Sequence, residues 1–196
     1  MFFKKIKFFI IISLLYQTPI YSKSNTFKDI DSKNLSKYFS GIIALENKDN
    51  SAALDFFNSS RALIDKHELF LKRYVYSLIL ENKVSWAINV VKNNEYKNNS
   101  NFFDAYLLLV LDSLKKSNFK KANIYLQKAS SISKLDRFDL AILESLKQYI
   151  YVFKEKKILN NKKNLGKLSI ISETFQRCYL GDEATDSYFS KLINDS

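Results

Sequence analysis

The side chains able to carry covalent or metal chemistry are few and scattered. His67 is the sole histidine and Cys178 the sole cysteine of the 196-residue chain. A zinc site takes three or four such ligands, so one of each does not build one. A lone histidine beside a helix start reads as a cap or a surface residue. No nucleophile elbow, metalloprotease helix, P-loop or dinucleotide fingerprint occurs. Three glycines are too few for a phosphate cradle. The acidic pair Asp182-Glu183 stands where a helix N-terminus favours negative charge. No catalysis, metal or cofactor is therefore expected. Cys178 cannot form an intramolecular disulfide and reads as a small buried apolar residue, with an intermolecular bridge as the alternative.

The remaining polar concentration is basic. Residues 154–167 carry Lys156, Lys157, Lys162 and Lys163, which could meet an anionic headgroup, glycan or nucleic acid. The segment lacks aromatic residues for base stacking, and export makes a nucleic acid an unexpected partner. The chain carries a net charge of +11. Removing Lys4, Lys5 and Lys7 leaves 28 basic against 20 acidic residues, net +8, which still favours anionic partners. Lysine also belongs to a general bias toward Ile, Phe, Tyr, Lys and Asn. That bias discounts lysine content as a functional signal.

Those three lysines form the positive start of a three-part leader. Phe8 to Tyr16 is an apolar run of nine residues, Pro19 breaks it, and Ser22 supplies a small residue before cleavage. A spanning helix needs about 20 apolar residues, so a cleaved signal is expected over 1–22, with an uncleaved inner-membrane anchor as the alternative. No cysteine follows for lipidation. The expectation is an exported chain, periplasmic in a Gram-negative cell, with a linker over 23–31.

One proline and three glycines in a chain that is 46% hydrophobic argue for helices joined by polar turns. Leu35, Tyr38, Phe39, Ile42 and Leu45 recur at helical spacing after Asp31 or Ser32, which can cap. A second helix is expected over Ser51 to Leu63. The pair recurs over His67 to Glu81 with Ser85 to Lys92, and over Phe102 to Lys115 with Phe119 to Ser130. Gly41, Val75 and Val110 are spaced by 34 and 35 residues, as are Ala53, Ala87 and Ala122, and Phe57, Val91 and Leu126. Small residues let two helices approach, and bulky ones fill the groove beside them. One such pair cannot bury both apolar faces, so neighbours must stack.

This period and these offsets resemble the tetratricopeptide repeat. The third unit matches through Tyr106, Leu109, Ser113, Asn118, Phe119, Ala122, Leu126 and Ala129. The first matches through Gly41, Ala44, Ala53, Phe57 and Ser60 but has Lys37 where the family prefers a bulky apolar residue. The second matches through Leu71, Tyr74, Leu78, Ala87 and Val91. Lys48, Asn82 and Ser117 occupy the place of the usual turn glycine, and the repeat-ending proline is absent. The resemblance covers residues 34–131, implying an all-α solenoid of antiparallel hairpins with a right-handed superhelix, here three hairpins over 32–131. It implies a concave wall made by Tyr38, Ile42, Leu45, Lys72, Tyr76, Ile79, Leu107, Leu111 and Leu114. There a protein or peptide segment would be held passively. Tyr38 and Ile42 stand where carboxylate-gripping members carry polar residues, so no carboxylate clamp is expected.

Residues 132–196 depart from the period. A helix is expected over Asp136 to Glu155, striped by Leu140, Leu143, Leu146, Ile150 and Phe153. Further helices are expected over Leu165 to Leu180, stopped by Gly181, and over Glu183 to Ile193. The last looks apolar for a terminal helix, which suggests a continuing chain, a fragment or self-association.

Overall fold

The computed structural model describes residues 31–96, 101–132, 134–160, 163 and 166–194. The expected leader, most of the linker, Lys162 and Leu165 lie outside them. Among the described residues the regular structure is entirely helical. The helices are α1 (Ser32–Glu46), α2 (Asn50–Asn58), α3 (Phe70–Leu80), α4 (Val84–Asn93), α5 (Phe103–Lys115), α6 (Phe119–Ser130), α7 (Arg137–Glu155), α8 (Lys167–Leu180) and α9 (Thr185–Asn194). No helix among them is long and apolar enough to cross a membrane.

Neighbouring helices in the chain pack on one another throughout, and α1 touches α3 as α3 touches α5. The recurring small and bulky positions are all buried. Ala53, Ala87 and Ala122 have no exposed surface, and Phe57, Val91 and Leu126 lie in the same core. Val75 and Val110 are buried with Gly41. A Cβ on Gly41 would sit 2.9 Å from Phe57 Cε1, so glycine is what allows α1 and α2 their approach. Asn94, which falls 34 residues after Ser60 and 35 before Ala129, is buried like both of them.

The turns repeat too. Lys48, Asn82 and Ser117 have φ of 61, 57 and 53°. Each donates its N–H three residues back, to Leu45, Ile79 and Leu114, and the next residue donates five back, to Ala44, Leu78 and Ser113. This is a Schellman turn, which satisfies the last carbonyls of a helix. The following residue then caps the second helix in two of the three. The Asp49 carboxylate accepts from Ala52 N–H at 3.0 Å, and the Asn118 amide oxygen accepts from Lys121 N–H at 3.0 Å.

Element ends shift from expectation for local reasons. The second helix stops at Asn58 because the Ser59 and Ser60 hydroxyls both donate to the Phe56 carbonyl, which competes with helix continuation. Arg61–Leu63 then forms a 3₁₀ turn. Helix α3 starts at Phe70 rather than His67, with no side-chain cap at Leu69.

The C-terminal helices are arranged differently. Asp136 and Asp139 form a reciprocal capping box on α7. Contacts between α7 and α8 ascend together along both helices. The Tyr149 hydroxyl donates to the Ser172 carbonyl at 3.4 Å, Gln176 Nε2 donates to Gln148 Oε1 at 3.1 Å, and the Phe153 and Tyr179 rings lie 4.7 Å apart. Helix α8 therefore runs parallel to α7, and Lys163 lies back beside Glu144 of α7. The expected stripe on α7 holds only in part. Leu143 and Ile150 are buried and Leu140 is half exposed. Helix α9 turns back through Gly181, φ 66°, by the same Schellman hydrogen bonds.

Candidate functional site

Residues of α1, α3 and the start of α5 enclose a cleft of about 580 Å³. Its apolar lining is Leu45, Val75, Tyr76, Ile79 and Phe102, and its polar lining is Glu46, Lys72, Arg73 and Asp104. The helical offset of three and four residues puts Lys72, Tyr76 and Ile79 on one face of α3, and α1 and α5 supply the two flanks. Lys72 Nζ lies 3.1 Å from Asp104, a half-exposed pair that ties α3 to α5 across the rim. Such a pair adds little stability but removes one cation from the cleft. Two basic and two acidic side chains over an apolar floor leave no strong field for a charged ligand.

Leu45, Lys72, Tyr76 and Ile79 all line this cleft, and Tyr76 is half exposed. Leu111 is half exposed on α5, with Leu107 and Leu114 partly covered, as is Ile42 on α1. These lie on the helices that build the cleft without lining it. Phe102 and Asp104 were not anticipated. Their signal was available, since Asp104 is the residue that precedes Leu107 by three on the same helix face.

Tyr38 is a correction. It is 2% exposed and belongs to the core. Its ring lies 4.4 Å from His67, 5.7 Å from Phe70 and 6.0 Å from Phe57. The reason lies in its neighbours. Lys37 and Ser40 stand where the later units have Leu71 and Tyr74, or Tyr106 and Leu109, all of them buried. Without those two bulky side chains, α1 fills the core with Tyr38. Burial pushes the Tyr38 hydroxyl above its ordinary range, with Arg73 partly opposing. His67 is accordingly a partly covered ring partner rather than a cap or surface residue, and its Nδ1 is buried with no hydrogen-bond partner.

The lysine loop does not converge on one place. Lys156, Lys157 and Lys163 are exposed. The Lys156 ammonium meets the Tyr179 hydroxyl and lies 4.6 Å from the centre of its ring. Lys163 lines a second cleft between α6 and α7, with Glu144 and Lys147. Lys156 N–H donates to Val152, whereas Lys163 N–H donates to Glu144, so the two lysines attach eight residues apart on α7. That is roughly 12 Å along the axis. Cys178 is a second correction: it is exposed, because α8 buries Ser172, Glu173, Thr174 and Gln176 instead.

Elsewhere polar groups join elements. Asp112 accepts from Lys92 at 2.6 Å and from Lys116 at 3.0 Å, linking α4 to α5. Burial alone would raise the Asp112 carboxyl, but the two ammonium groups hold it below its ordinary range. No group of three or more His, Cys, Asp or Glu residues poised to hold a metal occurs among the described residues. Compared with family models, curated proteins and solved structures, the chain finds no match.

Proposed function

We propose that residues 32–131 stack as three tetratricopeptide-like hairpins and that the chain is a non-enzymatic scaffold of the cell envelope. It holds an apolar segment of a partner protein along its first helices, with no covalent step. The observation that carries this reading is the cleft built from α1, α3 and α5, with Tyr76 half exposed over Leu45 and Ile79. The Schellman turns recurring at 34 and 35 residues support the stacked arrangement. A mixed, locally neutral rim over an apolar floor suits the apolar face of a helix or extended segment.

A photoreactive side chain placed at Tyr76 or Leu111 in the living cell tests this. Both positions are expected to give the same discrete protein adduct, and Ile124 on α6 is expected to give none. Tyr76→Asp should lower recovery of that partner about tenfold, a loss of about 1.4 kcal/mol, at low and moderate salt alike. Recovery that vanishes at moderate salt and ignores Tyr76→Asp would point to a polyanion held by lysines instead.

A further inference from the structure

Helix α8 is turned inside out. Leu168, Ile171, Phe175 and Tyr179 recur at spacings of three and four and so form one apolar stripe. That stripe is 41, 38, 54 and 50% exposed, while Glu173, Thr174 and Gln176 away from it are buried, as is Ser172 beside it. An amphipathic helix normally buries its apolar face, whereas here Phe153 and Phe189 touch Tyr179 and Phe175 but leave each about half exposed. The exposed surface continues onto both neighbours. Phe138 of α7 is 60% exposed and, with Leu168 and Ile171, borders a groove of about 260 Å³ between α7 and α8. Phe189 of α9 packs edge-on against Phe175, 6.3 Å between centroids.

We infer that this face is covered by a second copy of the chain, with the two α8 stripes antiparallel and Phe175 of each copy seated in the α7–α8 groove of the other. Two observations select a copy over a foreign partner. The first is charge. Residues 167–196 hold three basic and five acidic residues, net −2, so residues 1–166 carry +13 of the total +11. Two strongly basic chains repel over most of their surfaces, and apart from Lys156 beside Tyr179 this region adds no such repulsion. A partner drawn by the basic surface would be acidic and would dock elsewhere.

The second is size and pattern. The six exposed side chains just named present on the order of 600 Å² per copy at the usual size of such residues, against about 800 Å² in a standard interface. A two-fold contact must be self-complementary. An antiparallel stripe meets that condition, since the aliphatic Leu168 and Ile171 at one end face the aromatic Phe175 and Tyr179 at the other.

Sedimentation equilibrium on the full chain, in the form the cell leaves it, tests the proposal. Twice the chain mass is expected at tens of micromolar. Phe175→Asp and Ile171→Asp should each return it to the chain mass, with the helical circular dichroism retained because neither side chain is buried within one copy. Tyr76→Asp, in the cleft of the proposed partner site, should leave the dimer intact. The single native Cys178 allows an independent measurement without substitution. Nitroxides there should give one interspin distance of about 20 Å, from helices 8–10 Å apart and an axial offset of roughly 15 Å. A monomer at these concentrations, a dimer indifferent to both aspartates, or the absence of that short distance overturns the inference.

Discussion

The two halves of the molecule bury opposite kinds of surface. Between α1 and α4 the contacts are aromatic and aliphatic. Tyr38, Phe57, Phe70 and Tyr74 form a chain of rings with neighbouring centroids 5.7 to 6.1 Å apart. Between α7 and α8 the Phe153 and Tyr179 rings meet, but the fully buried contact is made by amides and hydroxyls. Gln176 Nε2 donates to both Gln148 Oε1 and Ser172 Oγ, Gln148 Nε2 donates to Glu144 at 3.1 Å, and Gln176 Oε1 is buried without a partner. Apolar burial drives association without regard to direction, so the first region tolerates sequence variation at constant volume. A buried amide contact gains little net free energy when complete, and loses more when one member is missing. The N-terminal helices are therefore held by area and the C-terminal ones by geometry.

The largest expected effect breaks the first region. Phe57 is fully buried against Tyr38 and Phe70. Phe57→Ala should cost about 3–5 kcal/mol, read from urea denaturation. The amide contact should respond in the reverse sense. Gln148→Leu alone should cost about 1–3 kcal/mol, because it strands its hydrogen-bonded neighbours. Gln148→Leu with Gln176→Leu should recover most of that loss, since removing both partners leaves fewer unsatisfied groups. A double variant weaker than the sum of the singles would show that the amides do more than satisfy one another.

The same contrast governs what could be read before the fold was known. The helices of residues 32–131 were legible because the positions marked by Gly41, Ala53 and Phe57 each recur after 34 and then 35 residues, so one weak signal is given three times. Tyr38 escaped because its unit breaks the pattern, with polar Lys37 and Ser40 where its neighbours are bulky. The cleft was legible for α3, where Lys72, Tyr76 and Ile79 all line it, and on α1 only at Leu45. Residues 132–196 offered one copy of each helix, and periodicity shows which residues share a face but not which face is covered. Cys178 was placed inside because a free cysteine is usually buried, whereas α8 buries polar residues instead. The parallel course of α7 and α8 had no local signal, because the lysines and asparagines between them in sequence form no distinctive pattern.

Electrostatic ties sharpen the comparison at a smaller scale. Asp112 links two helices of the N-terminal half through Lys92 and Lys116, whereas Arg177 pairs with Glu173 and Asp182 within the C-terminal hairpin. The native Asp112 carboxyl is held below its unfolded value. The unfolded chain therefore binds its proton first. The stability contributed is full above about pH 4 and is lost as pH falls through the native value. D112N should cost about 1 kcal/mol at pH 7, and the difference from wild type should narrow at pH 3. Urea midpoints at the two pH values measure this. A difference that persists in acid would mean the aspartate acts by shape rather than by charge.

The smallest effect isolates the backbone, because the two halves share one turn with different residues in it. Gly181 has φ of 66° and Lys48 and Ser117 have 61 and 53°, with matching Schellman hydrogen bonds. A left-handed residue with a Cβ costs about 1–2 kcal/mol relative to glycine in the folded chain. Glycine in turn loses about 0.4–1 kcal/mol more on folding through its freer unfolded state. Lys48→Gly and Ser117→Gly should each therefore stabilise by about 0.5–1 kcal/mol, and Asn82→Gly by less, since asparagine tolerates this conformation. A Cβ on Gly181 would touch nothing within 4 Å. Gly181→Ser thus introduces no clash and should lose about what Ser117→Gly gains. Equal and opposite shifts would make the turn a unit shared by both halves, independent of what their interfaces bury. Unequal shifts would mean that the C-terminal turn draws its stability from α9 rather than from its own hydrogen bonds.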